Sequence, residues 1–223
     1  MPSESYINFL HIRIDVLKLI ETHTFYTQNR RGRKNLGHLT RSAVVMLCAA
    51  WERYNEDLLL ESIDRICLLV DDLHLLNEGI KTSISNKVKT DSHNLKPIEL
   101  AGLGWKEVWK KYALEETKLL NTPKGNKLRS LFLTYLGIED YTRLWTVNNS
   151  TAVDEFVSDR GNIAHNGNRA SYIRMSKLRT YQDLIVSNVI DIDSNMADRI
   201  KATTNSRDLP WEKDYYTDLS RYK

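Results

Sequence analysis

Long apolar stripes at helical spacing run through most of the chain, with little glycine or proline to interrupt them. That pattern leaves few options besides a mostly helical protein. Residues 5–27 carry Ile7, Leu10, Ile14, Leu17 and Ile20 near helical spacing and predict a first helix. The run NRRGRKNLGHLT, two glycines in a polar stretch, ends it. A long second helix is expected over about 40–70, with the stripe Val44, Cys48, Trp51, Leu58, Ile66 and Leu69. Residues 71–90 read as a further helical stretch, followed by a loop around SHNLKP. Two more helices fall at about 104–120, with Trp105, Val108, Trp109 and Tyr112, and at 125–137, with Leu128, Leu131, Phe132 and Leu136. TAVDEFV opens another amphipathic helix, for which Thr151 and Asp154 form an N-terminal capping pattern. A last long helix is predicted over about 171–202. The tail TTNSRDLPWEKDYYTDLSRYK has aromatics without periodicity and reads as an arm, docked on the domain or on a second subunit.

Nothing divides the chain: there is no internal repeat, heptad array or shift of composition. The expectation is one all-α domain over 1–223, with its core at about 5–185 and a peripheral tail at 203–223. The 223 residues are 41% hydrophobic with only nine Gly and four Pro, which excludes a disordered chain and allows a real core. No apolar run approaches the roughly 18–20 residues of a membrane span, so no membrane partner is expected. The N-terminus MPSESYINFL has no basic stretch followed by a long apolar one, as a secretory signal would. Cys48 and Cys67 lie too far apart on one predicted helix to bridge and read as reduced, core-facing thiols of a cytoplasmic protein. No Cys/His pair has metal-ligand spacing, so neither a metal nor a cofactor is expected.

Charge is unevenly distributed. Residues 22–51 contain no acidic side chain and five basic ones, Arg30, Arg31, Arg33, Lys34 and Arg41. That segment is +5 in a chain of net charge +3, so the rest sums to −2. A local excess of this kind points to an anionic partner, although a short basic loop can also be merely solvated.

The densest chemistry lies in SDRGNIAHNG, residues 158–167. On a helix, the stripe Val153, Phe156 and Val157 is centred where Arg160 falls, so that guanidinium faces the core or a cleft and needs an anionic or carbonyl partner. His165 is five residues on, roughly 140° around an undisturbed helix. The two side chains can line one pocket only if the helix kinks or ends between them, or if the pocket is shared with another chain. Gly161 is the natural place for a break, since glycine costs about 1 kcal/mol inside a helix relative to alanine. On the second helix, Glu52 at the edge of the apolar stripe can orient Arg160 through a charge-assisted hydrogen bond, or form an ordinary boundary salt bridge. Asn55, inside the stripe between Trp51 and Leu58, is either a supporting polar group or a satisfied core amide.

At these residues the sequence resembles a known family. DRGNIAH matches the Arg-x4-His motif of the HEPN superfamily, and RSAVVMLCAAWERYNEDLLLE resembles the second-helix signature of its RiboL-PSP branch, with Trp51-Glu52 followed by Tyr54. The resemblance covers about residues 38–65 and 150–185. It implies a bundle of four core helices, with additional helices inserted between the second helix and the motif helix. It further implies a metal-independent endoribonuclease acting as a homodimer, with the two motifs facing each other across a cleft. Such proteins serve as toxins or antiphage effectors, so an antitoxin or defence-system partner protein is a further implied contact. On this likeness Arg160 and His165 are the catalytic pair, with Glu52, Asn162 and Asn55 supporting. Arg30, Arg31, Arg33, Lys34 and Arg41 then hold the RNA backbone.

Two departures from the pattern matter. Relatives usually have a polar residue directly after the arginine. Here Gly161 stands there, with Asn162 one place later to take over that role. Some relatives carry a modifiable tyrosine two residues after the histidine, where this chain has Gly167. The alternatives to a nuclease are a non-catalytic HEPN module that binds RNA, a nucleotide or a partner protein, and a plain bundle in which Arg160 and His165 are satisfied polar residues. TPKGNKLRS lacks the spacing of a phosphate loop and a preceding strand.

Overall fold

The computed structural model describes residues 1–28, 35–146, 150–170 and 172–222. Arg30, Arg31, Arg33 and Lys34 lie outside the described residues. The described chain is all-α, without a strand, and contains seven α-helices: α1 (Glu4–Thr27), α2 (Gly37–Leu69), α3 (Glu78–Thr90), α4 (Gly104–Thr117), α5 (Gly125–Leu136), α6 (Ser150–Asn166) and α7 (Met175–Thr204). The long helices α1, α2, α6 and α7 pack around one core, and α3, α4 and α5 lie between α2 and α6 in the chain and cover the far end of α2.

The helix expectations differ from the structure mainly at boundaries, for local reasons. Residues 71–90 split into a 3-10 turn at Leu73–Leu75 and α3. The side chains of Asp72 and Asn77 accept hydrogen bonds from the His74 and Gly79 amides and so start each piece separately. The SHNLKP loop runs into a 3-10 turn at Lys96–Leu100, with Pro97 in its first turn. The last helix begins at Met175, not 171. Thr151 and Asp154 do not cap α6. Both lie inside it, and Asp154 Oδ1 instead accepts the Gly125 amide at 2.8 Å, tying α6 to the start of α5.

The core is built on Trp51 of α2, fully buried, with its ring edge-to-face with Trp145 at 5.4 Å and its indole N–H donating to the Pro123 carbonyl at 3.0 Å. Phe132 and Tyr141 stack beside it at 3.7 Å. Cys48 and Cys67 are both buried and free. Burial pushes the Cys48 thiol up to about 12 and the Cys67 thiol to about 11, so both stay protonated in the core.

The tail packs on its own domain, and a buried carboxylate holds it there. Trp211 is buried and donates its indole N–H to the Asp193 carbonyl of α7 at 3.2 Å. Tyr215 OH donates to Asp193 Oδ1 at 2.9 Å, and the Ser3 hydroxyl donates to Oδ2 of the same carboxylate. One side chain thus clasps both ends of the described chain. Burial pushes Asp193 up to about 7, against the hydrogen bonds from Ser3 and Tyr215 that pull it down. The unfolded carboxyl titrates near about 4. The folded state therefore binds this proton more tightly than the unfolded state. Its contribution to stability is full below about pH 4 and is lost as the pH rises through about 7. Thermal unfolding of Asp193→Asn should show the effect: the melting temperature of the wild type falls relative to the variant between pH 5 and pH 8. A constant difference across that range would contradict the assignment.

Candidate nuclease site

α6 runs unbroken from Ser150 to Asn166, with Gly161 inside it, so the expected break does not occur. The apolar side chains Val153, Phe156, Val157 and Ile163 bind the helix to the core on both sides of the glycine, and that packing outweighs its weak helix propensity. A Cβ added at Gly161 meets nothing within 4 Å, so neither crowding nor strain requires a glycine there.

The unbroken helix fixes how the motif side chains diverge. Arg160 lies on the half-buried side that faces α2, and its charge acts on Cys48 and Glu52 there. His165 sits on the last turn of α6, exposed, roughly 140° around the axis. Arg160 is thus half-buried against α2 while His165 is exposed at the end of the same helix.

On α2 two carboxyl groups stand one turn apart: Glu52, which feels the Arg160 charge, and Glu56, which pairs with Arg53 at 3.6 Å. Burial raises Glu52 and the Arg160 charge lowers it, with a net rise. Burial, then repulsion from Glu52, pushes Glu56 up to about 7. The Arg160 charge reaches Glu52 through space, and neither the charge-assisted hydrogen bond nor the boundary salt bridge expected of Glu52 forms between them. Glu56 was not singled out from the sequence. Its i, i+4 spacing from Glu52 was the available signal.

Asn55 is not part of this site. It is fully buried, its amide donates to the Trp51 carbonyl at 2.7 Å, and its oxygen accepts from Tyr141 OH at 2.6 Å. The core-amide alternative is the one realised, because a side chain inside the α2 stripe points into the bundle. Asn162 is exposed and donates to Tyr172 OH at 3.3 Å, away from Arg160.

The residue next to Arg160 ties the motif helix to the start of α7. Asp159 is 5% exposed and accepts from Tyr181 OH at 2.6 Å and Tyr172 OH at 3.0 Å, and Lys177 Nζ lies 2.7 Å from its Oδ2. Lys177 also reaches Glu155 at 2.9 Å. Burial alone would raise the Asp159 carboxyl, but the hydrogen bonds from Lys177, Tyr181 and Tyr172 hold it below the usual range. This cluster fastens α6 to the start of α7 just where the motif begins. Sequence reasoning missed it because all three partners come from beyond the motif.

At the same end of the bundle two acid-free segments meet. Besides residues 22–51, residues 160–182 contain no Asp or Glu and five basic side chains: Arg160, Arg169, Arg174, Lys177 and Arg179. Arg41 of α2 bridges the two segments, its Nη2 donating to Asn168 Oδ1 at 3.1 Å. His23 of α1 lies close enough to Arg179 of α7 that burial, then the arginine charge, lower its pKa. Together the segments hold ten of the 32 Lys and Arg and none of the 29 Asp and Glu, leaving 22 basic against 29 acidic residues elsewhere. Among the described residues no group of three His, Cys, Asp or Glu side chains is placed to hold a metal ion, and no helix is long and apolar enough to cross a membrane.

A bundle whose α2 and α6 carry the Trp-Glu and Arg-x4-His elements is the architecture of a HEPN domain. The family model RiboL-PSP-HEPN matches residues 12–198, which include Glu52, Arg160 and His165, and the chain belongs to that family. HEPN domains are as a group ribonuclease-related. Comparison with the curated proteins found no match, and neither did comparison with the solved structures.

Proposed function

We propose that the protein is an endoribonuclease that cuts RNA through 2′-OH attack at a site made by two copies of the chain, with Arg160 of one protomer and His165 of its partner on the same phosphodiester. The observation that carries this reading is the divergence of Arg160 and His165 on a continuous α6, at the basic end of the bundle. A helix continuous from Arg160 to His165 supports a pocket completed by a second chain, and a two-fold pair would supply the same patch from each copy.

The chemistry suits these side chains. RNA brings its own nucleophile, so the reaction needs no metal-bound water. An imidazole carries protons near neutral pH, and His165, exposed, can take the 2′-OH proton or deliver one to the leaving 5′-oxygen. The same imidazole can hand the proton it takes from the 2′-OH to the leaving 5′-oxygen. The Arg160 guanidinium cannot act as a base. Its planar fork fits the non-bridging oxygens and the charge that gathers on them. The Glu52 carboxyl on α2 acts on that guanidinium through space. Arg41, and the basic run from Arg30 to Lys34, hold the phosphate backbone with little regard to sequence. The likeness to HEPN toxins and antiphage effectors supports a defence or toxin role, with a neutralising or activating partner protein.

Purified protein incubated with total RNA in EDTA tests this. The wild type is expected to leave 2′,3′-cyclic phosphate and 5′-OH ends, with Arg160→Ala and His165→Ala inactive. Gly161 favours a second reading, a module that binds RNA without cutting it, because the polar residue usual after the arginine is absent. Intact RNA bound equally by all three proteins would select that reading.

A further inference from the structure

Between the first turns of α2 and the end of α6 lies a groove of about 390 Å³. Its floor is apolar: Val45 and Met46 of α2 meet Ile163 of α6. His38, Arg41 and Asn168 form a hydrogen-bonding rim, and no acidic residue lines it. The volume falls within the roughly 300–1,000 Å³ range of small-molecule sites. The groove opens where the two acid-free segments meet, so a negatively charged occupant is favoured. Ile163 stands one turn beyond Arg160 and roughly 60° around the helix, which puts the groove on the Arg160 side of α6. The bond to Asn168 fixes the Arg41 fork while engaging one of its five N–H donors.

A floor of apolar side chains for a flat ring, a histidine and an arginine at its edge and a surrounding positive field suit an unstacked nucleotide. A base inside an A-form duplex cannot offer its face in this way. We propose that the groove is a subsite for one unpaired base of single-stranded RNA whose adjoining phosphodiester lies at Arg160. The assignment rests on the ribonuclease reading for the identity of the ligand. It makes single-stranded regions the substrate class and α2 a determinant of where the strand is held.

Binding tests the subsite separately from cleavage. The full chain carrying His165→Ala is titrated, by fluorescence anisotropy, into a labelled single-stranded RNA of roughly 12 nucleotides, its duplex, and a ribose-phosphate strand of equal length without bases. The single strand should bind about tenfold tighter than either other probe. Ser42 is exposed beside the groove and Thr180 is exposed on α7 in the second acid-free segment. Ser42→Glu should weaken single-strand binding about tenfold, and Thr180→Glu, with the same charge change, by less than about threefold, because screening confines the effect to about 10 Å. Arg41→Gln is a second groove variant and should remove most of the preference for strands with bases. Equal weakening by the two glutamates would overturn the proposal, as would equal binding of the strand without bases. So would a change in oligomeric state caused by Ser42→Glu without RNA, which would make the groove a contact between copies. If the predicted binding pattern appears while the wild type cuts no RNA, the subsite stands and the nuclease reading falls.

Discussion

Replacing His165 by alanine is expected to lower RNA cleavage by about 10²–10⁴-fold, the usual loss when a positioned proton carrier is removed. The side chain is exposed on the last turn of α6, so its loss should leave thermal stability within about 0.5 kcal/mol of the wild type. That separation makes the variant informative, since a large loss of rate without a change in folding assigns the imidazole to the reaction. Arg160→Ala should cost about 10²–10³-fold, the range seen when one donor to a developing negative charge is lost. Arg160→Lys keeps the charge but not the planar fork and should recover only part of the rate. Initial rates on one RNA, with melting curves on the same samples, check all three. Wild-type rates in the His165→Ala protein would remove the imidazole from the mechanism.

Asp159→Ala carries the largest expected effect on stability, about 2–4 kcal/mol. The substitution removes the buried carboxylate that two tyrosine hydroxyls and Lys177 now share, leaving Lys177 with Glu155 alone. Removing one partner of a buried pair typically costs about 3–5 kcal/mol. The Lys177 side chain is 30% exposed and can turn partly to water, which puts the expectation at the lower side of that range. For a chain of this size the melting temperature should fall by roughly 5–15 °C. Asp159→Asn keeps the shape and one acceptor oxygen, and should lie between. Because the cluster ties α6 to α7 immediately before Arg160, cleavage should weaken in step with stability. An unchanged melting temperature for Asp159→Ala would show that the cluster does not anchor the motif helix.

Much of this architecture was legible because its determinants are local. The stripes that bury Val44, Trp51 and Leu58, or Val153, Phe156 and Val157, repeat within a few residues, and the helices follow from them. The direction of Arg160 followed from the same geometry. What escaped sequence reasoning depends on contacts distant in the chain. The continuity of α6 past Gly161 is decided by Ile163 packing against the bundle, which no local propensity reports. Asp159 reads as one more acid on a helix until Tyr172, Lys177 and Tyr181 fold back over it. Asn55 offered two readings, and only the position of Tyr141, 86 residues on, decided between them. Asp193 is a plain helical aspartate in the sequence and becomes the clasp for both termini through Ser3 and Tyr215.

The shared site is tested most directly by mixing Arg160→Ala protein with His165→Ala protein, after unfolding and refolding them together so that mixed pairs form. Each parent should cut RNA at least about 10²-fold more slowly than the wild type. In a mixed pair one chain keeps Arg160 and the other keeps His165, so a site built across the pair is restored, whereas a site built within one chain is not. Cleavage by the mixture above both parents is the predicted result. A mixture shown by native mass spectrometry to contain the mixed pair, and still unable to cut RNA that the wild type cuts, would contradict it.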